Sequence, residues 1–442
     1  MRFKPFLLAG VLSLAGCGLA PEFGGFGLTT PPGEGLDAAA ADLPGIDADI
    51  AKHTIKRTPL GTWVSQLPDV RREKMATLLS YRAMDNDLGA LALAPHLNNL
   101  EAAGSSAYAN LLVFADGPDQ GDSRTYYMRQ ERTQALISPY FFPGGKQAEL
   151  NSADPENLRQ FVNFGYSKYQ GRFRVLDVAS HGGGYQGICA DYAANYEQMS
   201  LDGFGTAVKQ GLKGRKIDVL NLLACLMGAI EVAYEFRDVA SVLVASEDNM
   251  MGDDVDMVMT YDTTFGKIAG MPGHAPASAQ DLGKALVDHA RPERAKSGAF
   301  TLAAIDMDRI AGVKRQMNVL SNALLAAFPR HRKNILAAWN GTPFMYRDSQ
   351  GVSSHRDIIA FCKRLRAEVG DGEVQAAALE LSQAVKALII SYRYKGPEKG
   401  LAHGLSMYMP APDEQFNQSY LKTRFARDTA WPRVIQAIQQ GS

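Results

Sequence analysis

The sequence predicts an α/β fold with a mainly parallel sheet, and three observations carry this prediction. Short runs rich in Val, Leu and Ile alternate along the chain with segments whose apolar residues recur at helical spacing. These runs lack the strict apolar–polar alternation of a sheet that has one face in water. Two of them, residues 174–180 and 217–224, end directly before His181 and Cys225. Functional groups of open α/β sheets lie just beyond the carboxyl ends of the strands, so this pair marks a candidate site.

The amino terminus has the features of a bacterial lipoprotein signal. A cationic start precedes an apolar stretch, residues 6–14, that is too short to span a bilayer as a stable helix. The stretch runs into Leu-Ala-Gly-Cys, which ends at Cys17. We therefore expect residues 1–16 to be removed and Cys17 to be acylated, so that membrane lipid anchors the protein. An ordinary secretory signal with an incidental cysteine is the alternative.

Residues 17–62 are predicted to form a flexible tether, because they are rich in Gly, Pro and Ala. Gly18 stands where an Asp would favour retention in the inner membrane, so we expect an outer-membrane location in the cell envelope. Ordered structure is expected in two parts. In residues 63–275 strands and helices alternate, whereas residues 276–442 are largely helical and contribute strands to the core.

The first part contains most of the predicted sheet. After the first strand, a helix carries Leu91, Leu97 and Leu100 on one side, and Ser200 is placed to cap a later helix. Further helices are expected at residues 155–164 and 227–236. Strands are expected at residues 76–82, 110–115, 174–180, 217–224 and 241–246, with an edge strand at residues 126–128.

The second part carries apolar residues mainly at helical spacing. Two strand-like pieces, residues 300–305 and 405–409, interrupt this pattern, and either of them is free to rejoin the main sheet. The helices are expected at residues 279–290, 307–328, 331–339, 355–369 and 373–392.

The composition allows a large core and points away from nucleic acid. The chain has 442 residues, of which 46% are hydrophobic and 21% charged. Its formal net charge of -1 implies no surface for a polyanion. No stretch has the spacing of a zinc-ligand or phosphate-binding motif, so we expect neither a metal nor another cofactor.

The histidine and the cysteine suit nucleophilic catalysis. Cys225 would attack as the thiolate, and it precedes a predicted helix whose amino-terminal end favours an anion. His181 would take the thiol proton and deliver it to a leaving group. The N–H groups of Gly182 and Cys225 would form an oxyanion hole, in which one donor lowers a barrier by about 3 kcal/mol. A buried core cysteine beside a hydrogen-bonded histidine is the alternative interpretation.

Several motifs around this pair resemble the clostripain family of cysteine peptidases. The most specific are DVASHGGG, which ends at Gly184, and ACLMGAIEVAYE, which begins at Ala224. The resemblance extends from about residue 74 to Trp431. Further matches are Tyr81, the DNDL stretch at residues 85–88, VASE ending at Glu247, LAAID ending at Asp306 and HGLSMYMP beginning at His403.

The resemblance implies a caspase-like α/β sandwich with a Cys–His dyad, formed here by Cys225 and His181 with Gly182 in the oxyanion hole. The family commonly has Asp two residues before the nucleophile, where it accepts an Arg or Lys side chain of the substrate. This chain has Leu223 there. We therefore expect weak cleavage after Arg or Lys and a preference for uncharged or apolar residues. Asp253 or Asp254 would be the replacement acidic wall of the pocket, unless they form a solvated turn.

Two further features that the family shows have no matching signal in this sequence. Members of the family are often activated by self-cleavage after a basic residue, but residues 182–208 contain neither Lys nor Arg. Some relatives also require calcium, for which no specific motif is present. Asp85, Asp87 and Asp116 follow or end predicted strands on the side of the dyad, where turn-capping is the alternative to calcium binding.

The sequence therefore predicts a cell-envelope cysteine endopeptidase that acts on protein or peptide substrates through an acyl-enzyme. Two alternatives remain: a non-catalytic lipoprotein of the same fold that binds peptides or glycans, and a peptidyl transferase that uses the same thiol.

After Cys17, three cysteines remain in the chain. Because three is odd, one must be free, and we expect it to be Cys225, with a Cys189–Cys362 disulfide unsupported by any spacing rule.

Overall fold

A nine-stranded sheet with helices on both faces dominates the structure, which is a computed structural model. It describes residues 73–133, 135–143, 147–261, 264, 276–297, 299–347, 354–396 and 401–440. The expected signal peptide, acylated Cys17 and tether lie outside these residues. None of the helices in the described ranges is long and apolar enough to cross a membrane.

The strands and helices are numbered here along the chain. The strands are β1 (Lys74–Ala83), β2 (Ala109–Asp116), β3 (Arg124–Tyr127), β4 (Tyr140–Phe141), β5 (Gly171–Ala179), β6 (Ile188–Asp191), β7 (Glu197–Met199), β8 (Ile217–Leu223), β9 (Ala240–Ala245), β10 (Phe300–Asp306), β11 (Phe344–Arg347), β12 (Ser354–Asp357), β13 (Ile389–Lys395) and β14 (Ser406–Tyr408). The helices are α1 (Asp87–Ala103), α2 (Pro155–Lys168), α3 (Leu201–Gly211), α4 (Ile230–Glu235), α5 (Gly252–Val258), α6 (Ala279–His289), α7 (Ile310–Gly341), α8 (Ile358–Glu368), α9 (Gly372–Leu388), α10 (Arg424–Asp428) and α11 (Trp431–Gln440).

The main sheet confirms the predicted fold class. Its strand order is β13-β10-β9-β8-β5-β1-β2-β3-β4. The five central strands, from β9 to β2, are parallel, whereas β10 and β13 on one side and β3 and β4 on the other are antiparallel. The carboxyl ends of the central strands therefore meet at one edge of the sheet, as a site at strand ends requires.

Two hydrophobic cores lie on opposite faces of this sheet. Helices α2 to α4 and α7 to α11 cover one face, and α1, α5 and α6 cover the other. Alternate side chains of β1 enter different cores: Leu79 and Tyr81 enter the first, and Leu78 enters the second. Burial on both faces explains why the central strands lack an alternating pattern. On α1 the expected apolar side is only partly correct, because Leu91 is 60% exposed.

The second part of the chain differs most from the predicted elements. The predicted helix at residues 373–392 ends at Leu388, and β13 follows it as the edge strand beside β10. The β-branched pair Ile389 and Ile390 favours a strand at this point. Residues 354–357 form β12 instead of helix, and they pair with β11 and β14 in a small separate sheet.

The helix predicted from Met227 begins only at Ile230 and has six residues. The intervening residues cannot be helical, because Leu226 adopts a left-handed backbone with a φ of 65°. The N–H of Gly228 also donates to the carbonyl of Ser246 beyond the end of β9 (2.6 Å). The expected effect of a helix amino terminus on Cys225 was therefore wrong, since four residues separate the cysteine from a very short helix. By contrast, the Ser200 cap is confirmed, as its hydroxyl accepts from the N–H of Gly203.

Candidate active site

Strands β5 and β8 place His181 and Cys225 side by side. Ala179 pairs with Leu223 in parallel register, and each is followed two residues later by a member of the candidate pair. Neighbouring strands lie about 4.8 Å apart, so the loops that leave them are adjacent. Both side chains are buried, with 3% of His181 and none of Cys225 exposed.

The backbone of Gly182 lies directly against the cysteine loop. A Cβ atom at this position would lie 2.6 Å from the carbonyl oxygen of Cys225 and 2.9 Å from the Cβ of Ala224, so only glycine allows the approach. The N–H of Gly183 donates to Gly187 and that of Cys189 donates to His181. These two hydrogen bonds lie on either side of the antiparallel pair formed by Gly182 and Ile188. Gly182 is therefore in a non-hydrogen-bonded position, and its own N–H points away from Ile188.

A strained turn holds Cys225 at the end of its strand. Leu226 is one of the few described non-glycine residues with a positive φ, a conformation that costs about 1–3 kcal/mol where neighbours enforce it. Its N–H donates to the carbonyl of Asp248 (3.1 Å), which fixes the turn against the segment after β9. Strain of this kind often marks functional sites.

The thiol of Cys225 contacts the same segment. Its Sγ donates to the carbonyl of Met250 (3.4 Å) and accepts from the N–H of Met250 (3.3 Å). The peptide groups around Met250 therefore cover the sulfur in this conformation. A carbonyl group that is to be attacked by the sulfur must displace them.

The imidazole of His181 contacts a carboxylate that follows β1. Nε2 lies 2.5 Å from Oδ1 of Asp87, and the hydroxyl of Tyr192 donates to the same oxygen (3.0 Å). The hydrogen bond with His181 is the main cause that lowers the pKa of Asp87. Nδ1 of His181 is buried and has no hydrogen-bond partner among the described residues.

The contact between His181 and Asp87 was not predicted from the sequence, which suggested turn-capping or calcium for this carboxylate. The available signal was strand adjacency, because β1 is the neighbour of β5 and Arg82 pairs with Ala179. The loops after these two strands are therefore adjacent, just as those after β5 and β8 are. What the sequence could not supply was the direction of the Asp87 side chain.

The predicted pocket residues have different surroundings. Leu223 is buried and lies in one row with Ala179 and Arg82 across three parallel strands. The carboxylate of Asp254 is fully buried and accepts from the N–H groups of Lys296 and Ser297. The side chain of Asp253 lies outside the described part of the structure.

Sequence reasoning missed a buried ion pair in the same face of the sheet. Nη2 of Arg82 lies 2.6 Å from Oδ2 of Asp177, and neither side chain is exposed. Tyr261 and Asn221 each donate to the other oxygen of Asp177. Nε and Nη1 of Arg82 have no hydrogen-bond partner among the described residues. The row that contains Leu223 thus includes a buried cation two strands away, at Arg82. The positions of these residues, far apart in the sequence, gave no reason to expect it.

The three acidic residues considered for calcium have separate partners. Asp87 binds His181, and Asp116 accepts from the hydroxyl of Ser123. Burial, followed by repulsion from the carboxylates of Asp191 and Glu149, raises the pKa of Asp85 to about 7. Within the described ranges, no group of three or more His, Cys, Asp and Glu side chains could hold a metal ion.

The three described cysteines are all free and buried. The structure therefore contains no Cys189–Cys362 disulfide. Burial raises the pKa of both of these thiols, which makes them poor nucleophiles near neutral pH.

Comparisons with known proteins identify the family of this chain. The sequence model of a family described as the clostripain family matches residues 80–437. Clostripain from Hathewaya histolytica is 23% identical over 449 aligned residues, which cover 86% of this chain and 83% of clostripain.

Two solved structures show the same fold. A secreted C11 cysteine protease from Bacteroides thetaiotaomicron, in complex with an irreversible peptide inhibitor, has a TM-score of 0.59 and 14% identity, and the match covers 82% of this chain and 99% of that one. An inactive zymogen C11 protease from Parabacteroides distasonis has a TM-score of 0.57 and 17% identity, with coverages of 81% and 99%.

Proposed function

Because this chain belongs to the clostripain family and is a cysteine peptidase, we propose that it cleaves peptide bonds with Cys225 as nucleophile and His181 as base. One observation carries the assignment: the register of β5 and β8 places the two residues on adjacent loops, and Gly182 packs against the carbonyl of Cys225. The raised pKa values of the other two described thiols favour the same assignment.

The reaction would proceed through an acyl-enzyme. The thiolate of Cys225 attacks the peptide carbonyl carbon, and the N–H groups of Gly182 and Cys225 stabilise the oxyanion. His181, protonated by the thiol, gives its proton to the leaving amine as the carbon–nitrogen bond breaks. Water, deprotonated by the neutral imidazole, then hydrolyses the thioester. Substrate binding must first move the peptide groups of Met250 away from Sγ.

The specificity pocket would lack a carboxylate for a basic side chain. Leu223 occupies the position that is commonly Asp in the family, and its row leads through Ala179 to the cation of Arg82. The carboxylate of Asp254 is already engaged by two backbone N–H groups. A substrate guanidinium would therefore meet apolar groups and find no free carboxylate, so we expect weak cleavage after Arg or Lys.

The location would be the cell envelope. The signal-like amino terminus ends at Cys17, and acylation of this residue would hold the domain at a membrane through the tether of residues 17–62. The secreted relative from Bacteroides thetaiotaomicron is consistent with export. Gly18 favours the outer membrane.

The test compares wild type with Cys225→Ala, His181→Ala and the control Cys189→Ala. A thiol-directed active-site probe should label wild type and the control at Cys225 only. Neither Cys225→Ala nor, at neutral pH, His181→Ala should be labelled, and neither should cleave a broad peptide library. Identical behaviour of wild type and Cys225→Ala would instead indicate a non-catalytic binding protein. Products joined to an added amine, with little hydrolysis, would indicate a transferase.

A further inference from the structure

The geometry points to Asp87 as a positioning residue for catalysis, which orients His181 and stabilises its protonated form. This inference rests on the proposed function of His181 as the base. It adds a third member to the Cys–His pair, contributed by the start of α1 and held in place by Tyr192.

The contacts at Asp87 select one nitrogen of the imidazole for catalysis. Nε2 lies 2.5 Å from Oδ1 of Asp87, a distance at which the N–H donates to the carboxylate. In the neutral ring the lone pair is then on Nδ1, which is the buried nitrogen without a hydrogen-bond partner among the described residues. Nδ1 is therefore the atom that would take the proton of Cys225, while Asp87 keeps the proton on Nε2.

Hydrogen bonds of the preceding residue position the backbone of Asp87, whose side chain is 56% exposed. Asn86 caps α1 by accepting from the N–H of Leu88 (3.0 Å), and its amide donates to the carbonyl of Ala190 (2.8 Å). The backbone of Asp87 is thus fixed between β1 and β6. A carboxylate in the first turn of a helix is also favoured by the helix dipole, which supports the ionised form of Asp87.

Tyr192 contacts both Asp87 and His181. Its hydroxyl donates to Oδ1 of Asp87 at 3.0 Å, and its ring is nearly parallel to that of His181, with centroids 6.1 Å apart. The N–H of Tyr192 donates to the carbonyl of Asp85 (2.7 Å). This backbone hydrogen bond joins the two segments that contribute Tyr192 and Asp87 to the surroundings of the imidazole. The ring of His181 therefore has its plane and its tautomer set by neighbours.

The charge of Asp87 should act on the balance between thiol–imidazole and thiolate–imidazolium. An adjacent carboxylate favours the imidazolium, so activity should persist to higher pH than without it. Titratable groups near this pair include Tyr192, Cys225, and Asp85 with the carboxylates of Asp191 and Glu149. Because burial and neighbouring carboxylates raise the pKa of Asp85 to about 7, it titrates within the same pH range, so differences between variants are the readout for Asp87.

The experiment measures kcat and KM from pH 5 to 9 for wild type, Asp87→Ala, Asp87→Asn and the control Asp202→Ala. Asp202 also lies in the first turn of a helix, α3, but it contacts Arg424 instead of the active site. Asp87→Ala should lower kcat about 100-fold with KM unchanged, because orientation and charge are both lost. Asp87→Asn, whose amide oxygen still accepts from Nε2, should lose about tenfold and move the upper limb of the profile about one pH unit lower.

The outcomes distinguish a wrong role for Asp87 from a wrong function for the protein. If wild type is active and both Asp87 variants match Asp202→Ala in kcat and in the upper limb, the role of Asp87 is wrong while the proposed function stands. A wild type that neither cleaves peptides nor labels at Cys225 overturns the proposed function and this inference together. Melting temperatures of the two Asp87 variants close to that of Asp202→Ala show that the losses do not arise from unfolding.

Discussion

Leu223 illustrates how one side chain near the proposed nucleophile would determine which substrate residue is accepted. It lies in the last position of β8, on the same face of the sheet as the ion pair of Arg82 and Asp177. Asp177 already binds Arg82, Tyr261 and Asn221, so its charge is neutralised within the protein. Any attraction for a basic substrate residue would therefore have to come from a new carboxylate.

Leu223→Asp is expected to introduce cleavage after Arg. A hydrogen bond between charged groups contributes about 1.5–3 kcal/mol, which corresponds to a tenfold to hundredfold gain in kcat/KM for an Arg substrate relative to a Leu substrate. Leu223→Asn is the matched control, because it has the same shape without the charge. Both variants will be less stable than wild type, since they bury a polar group. A wild type that already prefers Arg, or an unchanged ratio in Leu223→Asp, would contradict the predicted pocket.

At the residue scale, the sequence supports predictions wherever the backbone alone determines proximity. His181 and Cys225 could be paired because each follows an apolar strand by a fixed number of residues. Asp87 could not be assigned to His181, since its role depends on which way a half-exposed side chain turns. Arg82 and Asp177 are 95 positions apart, and only the parallel register of β1 and β5 brings them together.

Helix α4 shows how an element secures the loop that carries Cys225. It packs beneath the small sheet, and its Glu231 is fully buried. The carboxylate accepts from the N–H of Tyr408 in β14 (3.0 Å) and from the hydroxyl of Tyr420 (2.9 Å). Next to α4, the N–H of Ser406 donates to the carbonyl of Gly228 (2.9 Å). The turn after Cys225 is thus bound to β14 on one side and to the end of β9 on the other.

Glu231→Gln is expected to change the pH dependence of stability. Burial raises the pKa of Glu231 to about 7, from an ordinary value of 4.5. The folded state therefore keeps a proton that the unfolded state releases, so stability falls as pH rises from about 4.5 to about 7. Over this range the loss is about 3 kcal/mol, and glutamine, which is neutral throughout, should avoid it.

Urea unfolding at pH 5 and pH 8 measures this effect. The variant should gain stability relative to wild type at pH 8 compared with pH 5, while Asp85 titrates equally in both proteins and cancels. Glu235→Gln is the control on the same helix, because it breaks the ion pair with Arg424 and should lose stability at pH 8. A difference between Glu231→Gln and wild type that does not vary with pH would refute the buried-acid explanation.

At the scale of elements, the sequence predicts those whose pattern is local. The apolar central strands and the capped helices are of this kind. Helix α4 starts late because Leu226 is held in a left-handed conformation by Asp248, a contact with another strand end. Strand β13 was assigned to the preceding helix because Tyr392 and Leu388 also fit helical spacing. The β-branched pair at its start is a weaker signal, and pairing with β10 decides in favour of the strand.

The second part of the chain extends the main sheet and contacts the segments that flank the candidate active site. Strand β10 pairs with β9 and β13 pairs with β10, so residues beyond 276 extend the main sheet. The N–H of Gly404 donates to the buried carboxylate of Glu247 (2.6 Å), next to the segment that covers Cys225. One hydrophobic core includes side chains from both parts. The active-site loops are therefore expected to unfold together with the carboxyl-terminal helices.

Trp431→Ala tests this dependence, since the residue is fully buried and far along the chain from the site. Its ring stacks on Trp339 (5.5 Å between centroids), and its Nε1 donates to the carbonyl of Tyr408 in β14 (3.0 Å). Removing the ring should lower the free energy of unfolding by about 3–5 kcal/mol. Because β14 also binds the turn after Cys225, peptidase activity and the far-UV circular dichroism signal should be lost at the same urea concentration, which should be lower than for wild type.

Tyr394→Ala is the control, because this side chain lies at an exposed edge position; it should shift neither of the two unfolding midpoints noticeably. Activity that survives the loss of carboxyl-terminal structure would show instead that the catalytic part folds on its own.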